Sequence, residues 1–277
     1  MPVPNVTLND GNKMPQLGLG VWQASEGGEV ERAVTAALKT GYRLIDTAAV
    51  YRNEAGVGSA IASSGVARDE LFVTTKLWNS DQDADKVRSA LMTSLEKLGL
   101  DYIDLYLIHW PMPAHGLFPA AWAELEKLKA EGLIRSIGVC NFLPEHLDEL
   151  ARHSDVVPAI NQIELHPWFN QAASRDDATS RGIQIESWSP IGQGGDLLRD
   201  ATITAIAEAH GKTSAQVIIR WHLQHDLVVI PKSTHPERIA ENFDVFGFEL
   251  SDQQMAQIDS LNQDKRLGAN PLTMNMK

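Results

Sequence analysis

Apolar residues in this chain gather into short runs separated by stretches of helical spacing. The runs are LGLGV (17–21), RLIDT (43–47), LFVTTKL (71–77), DLYLIHW (104–110), IRSIGVC (134–140), AINQIEL (159–165), IQIESW (183–188) and DLVVIPKS (226–233). They are near-continuous rather than alternating, the pattern of parallel strands covered on both faces. Between them the period changes to that of amphipathic helices. Val30, Ala33, Val34, Ala37 and Leu38 form one stripe ended by Gly41. Val87, Leu91, Leu95 and Leu98 form a second ended by Gly99, and Ala121, Trp122, Leu125 and Leu128 a third ended by Gly132. Glycine just past the last apolar position stops a helix because it takes the left-handed conformation that closes the final turn. Two further helical stretches stand out, 201–211 ahead of the helix at 214–225, and 251–262 after the last strand–helix unit.

Ahead of the first run, VTLNDGNKMPQLG alternates around Asp10-Gly11, which predicts a short hairpin. No linker, low-complexity tract or composition break divides the 277 residues. Eight strand–helix units in succession predict a single α/β domain over 1–277, a (β/α)8 TIM barrel with the hairpin across its bottom and two extra helices. The competing open, doubly wound sheet needs a Gly-x-Gly-x-x-Gly turn leading from an early strand into a helix. Gly18 and Gly20 do not lead directly into one.

Composition narrows the setting. An apolar content of 43% is enough for a sizeable core. The net charge of -12 argues against a nucleic-acid or anionic-membrane surface, because both need clustered cations. No apolar run reaches the ~18 residues of a membrane helix. MPVPNVTLND lacks a charged segment followed by an apolar core, so no secretory signal is expected. Cys140, the single cysteine, forms no intramolecular disulfide and suits a reducing compartment. These features together predict a cytoplasmic protein.

A barrel of this kind places its chemistry at the C-terminal ends of its strands. In order, those ends carry Trp22, then Asp46 with Tyr51 in the loop after it at the head of a helix, then Lys76 and Trp78. Next come His109-Trp110, Cys140-Asn141, Gln162 with Glu164 and His166-Pro167-Trp168, Trp188-Ser189, and Lys232-Ser233-Thr234. Five of the seven tryptophans fall on this rim, which packing alone does not explain. Singly, Asp46 reads as a cap, Lys76 as a solvated strand-end charge, His109 as a satisfied core histidine and Tyr51 as a surface ring. Together they read as a proton-donor relay. Asp46 and Lys76, on neighbouring strands, can form a buried ion pair that keeps the lysine charged. A free tyrosine has a pKa of ~10, and a cation within ~4–6 Å favours the phenolate. That would let Tyr51 act as a general acid near neutral pH, with His109 holding the substrate oxygen toward it.

A second constellation lies at PKSTHPER (231–238). Pro236 suits the first turn of a helix, so free backbone N–H groups and the positive end of the dipole lie near Lys232, Ser233 and Thr234. Arg238 can reach back over that turn with a forked grip on a phosphate.

On these residues the chain resembles the aldo-keto reductase family along almost its whole length. The carrying motifs are G-Y-R-L-I-D-T-A-A-V-Y-x-N-E (41–54), T-T-K-L-W (74–78), D-L-Y-L-I-H-W-P (104–111), L-I-R-S-I-G-V-C-N-F (133–142), N-Q-I-E-L-H-P (161–167) and I-P-K-S (230–233). S-W-S-P-I-G-Q-G (187–194) is most similar to the bacterial 2,5-diketo-D-gluconate reductase-like branch. The resemblance implies NADPH-dependent reduction of aldehydes and ketones by a monomer. It implies that Asp46, Tyr51, Lys76 and His109 are the catalytic four, with Tyr51 the acid. It further implies that Asn141 and Gln162 hold the nicotinamide carboxamide and that Trp188 stacks on the ring, with Ser189 beside it. Lys232, Ser233, Thr234 and Arg238 match contacts to the 2′-phosphate, and Glu241 and Asn242 contacts to the adenine. Cys140 stands where the family more often has serine, and a thiol is the weaker donor. The segment 191–200 is short beside the cofactor-covering loop of many relatives, which implies looser closure.

Trp22, Val50, Trp78 and Trp110, with Trp188, are expected to wall an apolar pocket, with the tail LGANPLTMNMK closing one side. Such a pocket suits small aldehydes, α-dicarbonyls and keto-sugars. Two rival readings belong to other classes. A barrel aldolase would use Lys76 as a Schiff base, but such a lysine needs a depressed pKa and Asp46 does the opposite. A non-catalytic nucleotide-binding subunit is the other, since fold does not fix function. His222 and His225 share a helix at i, i+3 without a third ligand and read, like His146 and His153, as solvated helix residues rather than a metal site.

Overall fold

A computed structural model describes residues 3–277. The chain opens with β1 (Asn5–Thr7) and β2 (Lys13–Pro15), an antiparallel hairpin in which Val6 faces Met14. Eight parallel strands follow in sequence order: β3 (Gly18–Gly20), β4 (Leu44–Asp46), β5 (Phe72–Leu77), β6 (Ile103–Ile108), β7 (Ile134–Cys140), β8 (Ile160–Glu164), β9 (Gln184–Trp188) and β10 (Val228–Val229). Helices cover their outer faces: α1 (Glu29–Thr40), α2 (Glu54–Ser63), α3 (Ala84–Leu98), α4 (Phe118–Ala130), α5 (Pro144–Ala151), α6 (Ala172–Ser180), α7 (Ala201–His210), α8 (Ser214–Gln224) and α9 (Pro236–Phe243). α7 is the extra helix ahead of α8, and α10 (Asp252–Asp259) follows the barrel. This is the (β/α)8 architecture that the alternation of periods predicts.

The ring closes between its first and last strands through isolated bridges, Leu17 with Val229 and Gly20 with Lys232. The Val229 amide donates to the Gln16 carbonyl at 3.0 Å and the Gly20 amide to the Pro231 carbonyl at 3.3 Å. Glycine is needed at position 20, because a Cβ there would lie 2.9 Å from the Ile230 carbonyl oxygen. The apolar run 226–233 predicts a longer last strand than the two residues of β10. Pro231 has no N–H to give, so the ladder stops before it.

Strand residues alternate between two cores. Leu44, Phe72, Leu105, Leu107, Ile160 and Val228 fill the lumen, and Leu8 and Met14 of the hairpin close its lower end. Ile45, Val73, Tyr106, Ile163 and Ile185 face outward onto the helices, including the Val30–Leu38 stripe of α1. The same alternation turns Asp46, Lys76, Gln162 and Glu186 inward, above the apolar floor.

Three histidine expectations are corrected. His222 is fully buried, its two ring nitrogens bonded to the carbonyls of Ile218 (2.8 Å) and Leu165 (3.1 Å), so it joins α8 to the end of β8. His225 is half-buried against Asp259 at 2.9 Å, in the same packed contact rather than on a solvated face. His146 is also buried, and its Nδ1 accepts the Leu143 amide at the start of α5.

Candidate active site

Asp46, at the end of β4, is buried and accepts from the Lys76 ammonium at 2.6 Å. The same ammonium donates to the Thr47 carbonyl at 2.8 Å. Both groups lie in the lumen, where an unpaired charge would be costly. Burial alone would pull the Lys76 ammonium down; the charge of Asp46 and the hydrogen bond to it override burial and hold the ammonium above the ordinary lysine value. Burial raises Asp46, opposed by Lys76 and by the bond from Gln162.

Tyr51 reaches this pair from a single 3-10 turn, Ala49–Tyr51, and α2 begins only at Glu54, later than a helix headed by Tyr51 would. Arg52 takes a left-handed conformation (φ 57°) to end the turn. Asn53 then pins the loop from below. Its buried side chain donates to the carbonyls of Val21 and Ala24, both at 2.9 Å, and accepts the Thr47 hydroxyl at 2.7 Å. The Lys76 ammonium consequently sits 5.1 Å from the centre of the Tyr51 ring. The cation is where the sequence reading puts it, but its effect on the resting phenol is not. Burial outweighs Lys76 and holds Tyr51 above the ordinary tyrosine value, so the resting group is a protonated phenol.

His109 lies edge-on to Tyr51, ring centres 5.8 Å apart, and edge-on to Trp78 at 5.2 Å. Burial, with Lys76 nearby, depresses it well below the ordinary histidine value. It is therefore a neutral imidazole, and its buried Nδ1 has no hydrogen-bond partner among the described residues. Asn141, left-handed at φ 65°, donates to the His109 carbonyl at 3.1 Å and accepts the Trp188 indole N–H at 2.9 Å. Gln162 donates one amide hydrogen to Asp46 and the other to Glu186, each at 2.8 Å. Glu186 escaped the sequence reading. It is fully buried, and burial, reinforced by the Asp46 charge, pushes it up to about 8.

Asp46, Tyr51, His109, Asn141 and Gln162 line one cavity of about 1130 Å³, together with Trp22, Val50, Trp78, Trp110, Trp188 and Ser189. The cavity continues past β10 to Lys232, Ser233, Thr234, Arg238, Glu241 and Asn242. Pro236 occupies the first turn of α9, with Lys232 and Arg238 exposed beside it. Ser233 caps the approach by accepting the His235 amide at 3.1 Å. Thr213 and Ser214, at the start of α8, line this arm too. Nothing in their own stretch marks them, since Thr213 reads simply as the helix cap that it also is.

The C-terminal segment forms the opposite wall through Gly268, Ala269, Met274 and Met276. It is latched to the barrel by Glu164. That buried carboxylate accepts the Leu267 amide at 2.6 Å, the Gly268 amide at 2.8 Å and His166 Nε2 at 3.0 Å. Gly268 packs flat on Trp188, where a Cβ would come within 2.4 Å of the indole. Trp168, the remaining rim tryptophan, uses its carbonyl to hold Gln263 and Lys265.

Comparison with known proteins agrees with this architecture. The model of the aldo/keto reductase family matches residues 16–263. The chain is 54% identical to methylglyoxal reductase DkgA of Escherichia coli (strain K12), over 96% of each chain. It is 52% identical to the glyoxal reductase of Bacillus subtilis (strain 168), over 96% of this chain and 95% of the other. Among solved structures, an aspartate-to-alanine mutant of Gox0644 in complex with NADPH superimposes with a TM-score of 0.94 at 46% identity, over 99% of both chains. With a match spanning the barrel and relatives this similar over nearly its full length, the chain belongs to the aldo/keto reductase family.

Proposed function

We propose that the protein is a monomeric, cytoplasmic NADPH-dependent reductase of small aldehydes and α-dicarbonyls, with Tyr51 as the general acid. The observation that carries the reading is the doubly held Lys76 ammonium beneath the Tyr51 phenol at the floor of the cavity, beside a neutral His109. The cavity suits the cofactor. Asn141, Gln162 and Trp188 stand beside the catalytic floor, and cations, hydroxyls and a helix N-terminus stand at its far end, where a phosphate would be held. NADPH, when bound, supplies a hydride. His109, an uncharged ring on the cavity wall, orients the substrate carbonyl oxygen. Tyr51 donates its proton to that oxygen. Lys76 then faces the phenolate left behind and stabilises it as it forms. Because the resting phenol is held protonated, the contribution of Lys76 is to the developing charge rather than to the resting acid. The tryptophan-walled mouth favours compact, weakly solvated substrates, and the relatives named for methylglyoxal and glyoxal support the α-dicarbonyl class. The doubly held, fully charged lysine speaks against Schiff-base chemistry.

The test is loss of NADPH absorbance with methylglyoxal, glyoxal, simple aldehydes and keto-sugars, for wild type and Tyr51→Phe. A positioned general acid contributes roughly 10²–10⁴ in rate, so the variant should lose at least about a hundredfold in kcat while binding NADPH as before. A variant keeping half of the wild-type kcat would remove Tyr51 from the role. Absence of turnover with every carbonyl would remove the reading itself.

A further inference from the structure

Glu164 and Glu186 are both fully buried, yet their surroundings differ. Glu164 accepts three hydrogen bonds, two from backbone amides and one from His166. Among the described residues Glu186 accepts one, from Gln162 to its Oε2, and its Oε1 has no partner. No cation among the described residues forms an ion pair with Glu186, since the Lys76 ammonium is spent on Asp46 and the Thr47 carbonyl. A carboxylate offers about four acceptor sites, and burying one with a single hydrogen bond and no counter-ion is costly. A neutral acid in this place leaves only a hydroxyl unpaired.

The Gln162 amide orientation follows from the same network. Asp46, ion-paired with Lys76, can only accept, so the amide nitrogen must face it. The second amide hydrogen then points to Glu186, and Gln162 has only its carbonyl oxygen left to offer a ligand.

We propose that Glu186 is a positioning residue held as a neutral carboxylic acid, which locks the Gln162 amide against Asp46 and whose ionisation slows reduction by adding a second negative charge beside the Asp46–Lys76 pair. The inference rests on the reductase reading above. The titratable groups sharing this lumen are Asp46 from β4, Tyr51 from the loop after it, Lys76 from β5, His109 beyond β6 and Cys140 from β7. Gln162 of β8 and Val228 of β10 flank Glu186 without charge. Among these Lys76 is the lone cation at neutral pH, His109 being neutral. One carboxylate balances it and a second does not. Burial and Asp46 place the Glu186 transition at about 8. Above that pH the added charge increases the proton affinity of Tyr51 and makes it a weaker donor.

The test joins kinetics to a measurement on the cofactor-free protein. In wild type, kcat/KM for reduction should fall as pH rises through about 8. Glu186→Gln keeps an acceptor for Gln162 and cannot ionise, so its neutral-pH rate should stay close to wild type while the alkaline fall moves up by about one pH unit or more. Glu186→Leu removes the acceptor and should raise KM for NADPH, which the glutamine variant should not. Infrared spectra of protein labelled with ¹³C-glutamate should show a protonated carboxylic acid carbonyl at pH 7. That band should vanish as the pH passes about 8 and be missing from Glu186→Gln. No such band at pH 7, or an alkaline fall unchanged in Glu186→Gln, would overturn the proposal. If wild type reduces no carbonyl at all, the reductase reading fails, while the infrared titration still decides the state of Glu186.

Discussion

Replacing Glu164 with glutamine tests the latch that holds the C-terminal segment over the cavity. The carboxylate divides its work between two oxygens: Oε1 takes the Leu267 amide and His166, and Oε2 takes the Gly268 amide. Glutamine keeps one acceptor and turns the other into a donor, so one amide bond to a charged group is lost. Such bonds contribute about 1.5–3 kcal/mol. Leu267 is 38% exposed, so the freed backbone can turn to water, which avoids the further cost of a buried orphan donor. The opening equilibrium of the segment should therefore rise by roughly ten- to a hundredfold. Hydrogen exchange is the direct assay, since amides of 267–276 should lose that much protection while the barrel strands keep theirs. Substrate KM should rise as well, because Met274 and Met276 line the cavity. The pH dependence separates this effect from a general loss of stability. Burial would raise Glu164, but His166 and the two amides outweigh it and hold it below its ordinary value of 4.5. A depressed carboxyl contributes fully above its unfolded value and is lost only as pH falls through the folded one. Wild type should therefore be as well latched at pH 5 as at pH 7, and the variant loosened at both. Unchanged protection in 267–276 would show that other tethers, such as the Trp168 carbonyl or the Asn79 bond to Met276, carry the segment without Glu164.

Two further outcomes bear on the cofactor arm. Changing Lys232 to Gly and Arg238 to His should raise KM for NADPH at least tenfold and leave that for NADH nearly unchanged, the exposure of both cations keeping the effect near the low end for charged hydrogen bonds, about 1.5 kcal/mol. Equal losses for the two cofactors, or a wild type that prefers NADH, would put the phosphate elsewhere. Trp188→Ala should weaken NADPH binding by about 0.5–1.5 kcal/mol beyond the area lost, and Trp188→Tyr should largely restore it; dissociation constants measured by fluorescence titration decide between stacking and a purely structural indole.

Much of this site was legible because parallel strands end in register. Asp46, Lys76 and His109 close successive apolar runs, so the barrel rule alone gathers them. Glu186 was not legible for the same reason in reverse. In IQIESW it looks like an ordinary polar residue between Ile185 and Ser187, and only the ring turns that face into a closed lumen. The acidity of Tyr51 was misjudged because a sequence shows the neighbouring cation but not the depth of burial that opposes it. His222 looked solvated because a helix on the barrel surface normally has a wet side. Here that side meets the Leu165 carbonyl and the Trp221–Asp259 contact instead. The last strand was overextended because Ile230 is as apolar as a strand residue, while Pro231 quietly removes the donor a ladder needs.

The bridged seam between β3 and β10 also bears on how the chain is made. β3 leaves the ribosome early, but the residues that close the barrel against it arrive roughly two hundred positions later. Until then one edge of the nascent sheet waits, and an unpaired edge is a template for pairing with other chains. β3 is a poor template. It spans three residues, two of them glycine, and Gly18 packs so closely on Leu44 that a side chain there would overlap it. Closing the ring by a few bridges instead of a long ladder sacrifices little strength, because the hairpin plug and the lumen side chains also hold the two sides. In return, the newborn protein carries a short, featureless edge through the interval when it is most exposed to its neighbours on the polysome.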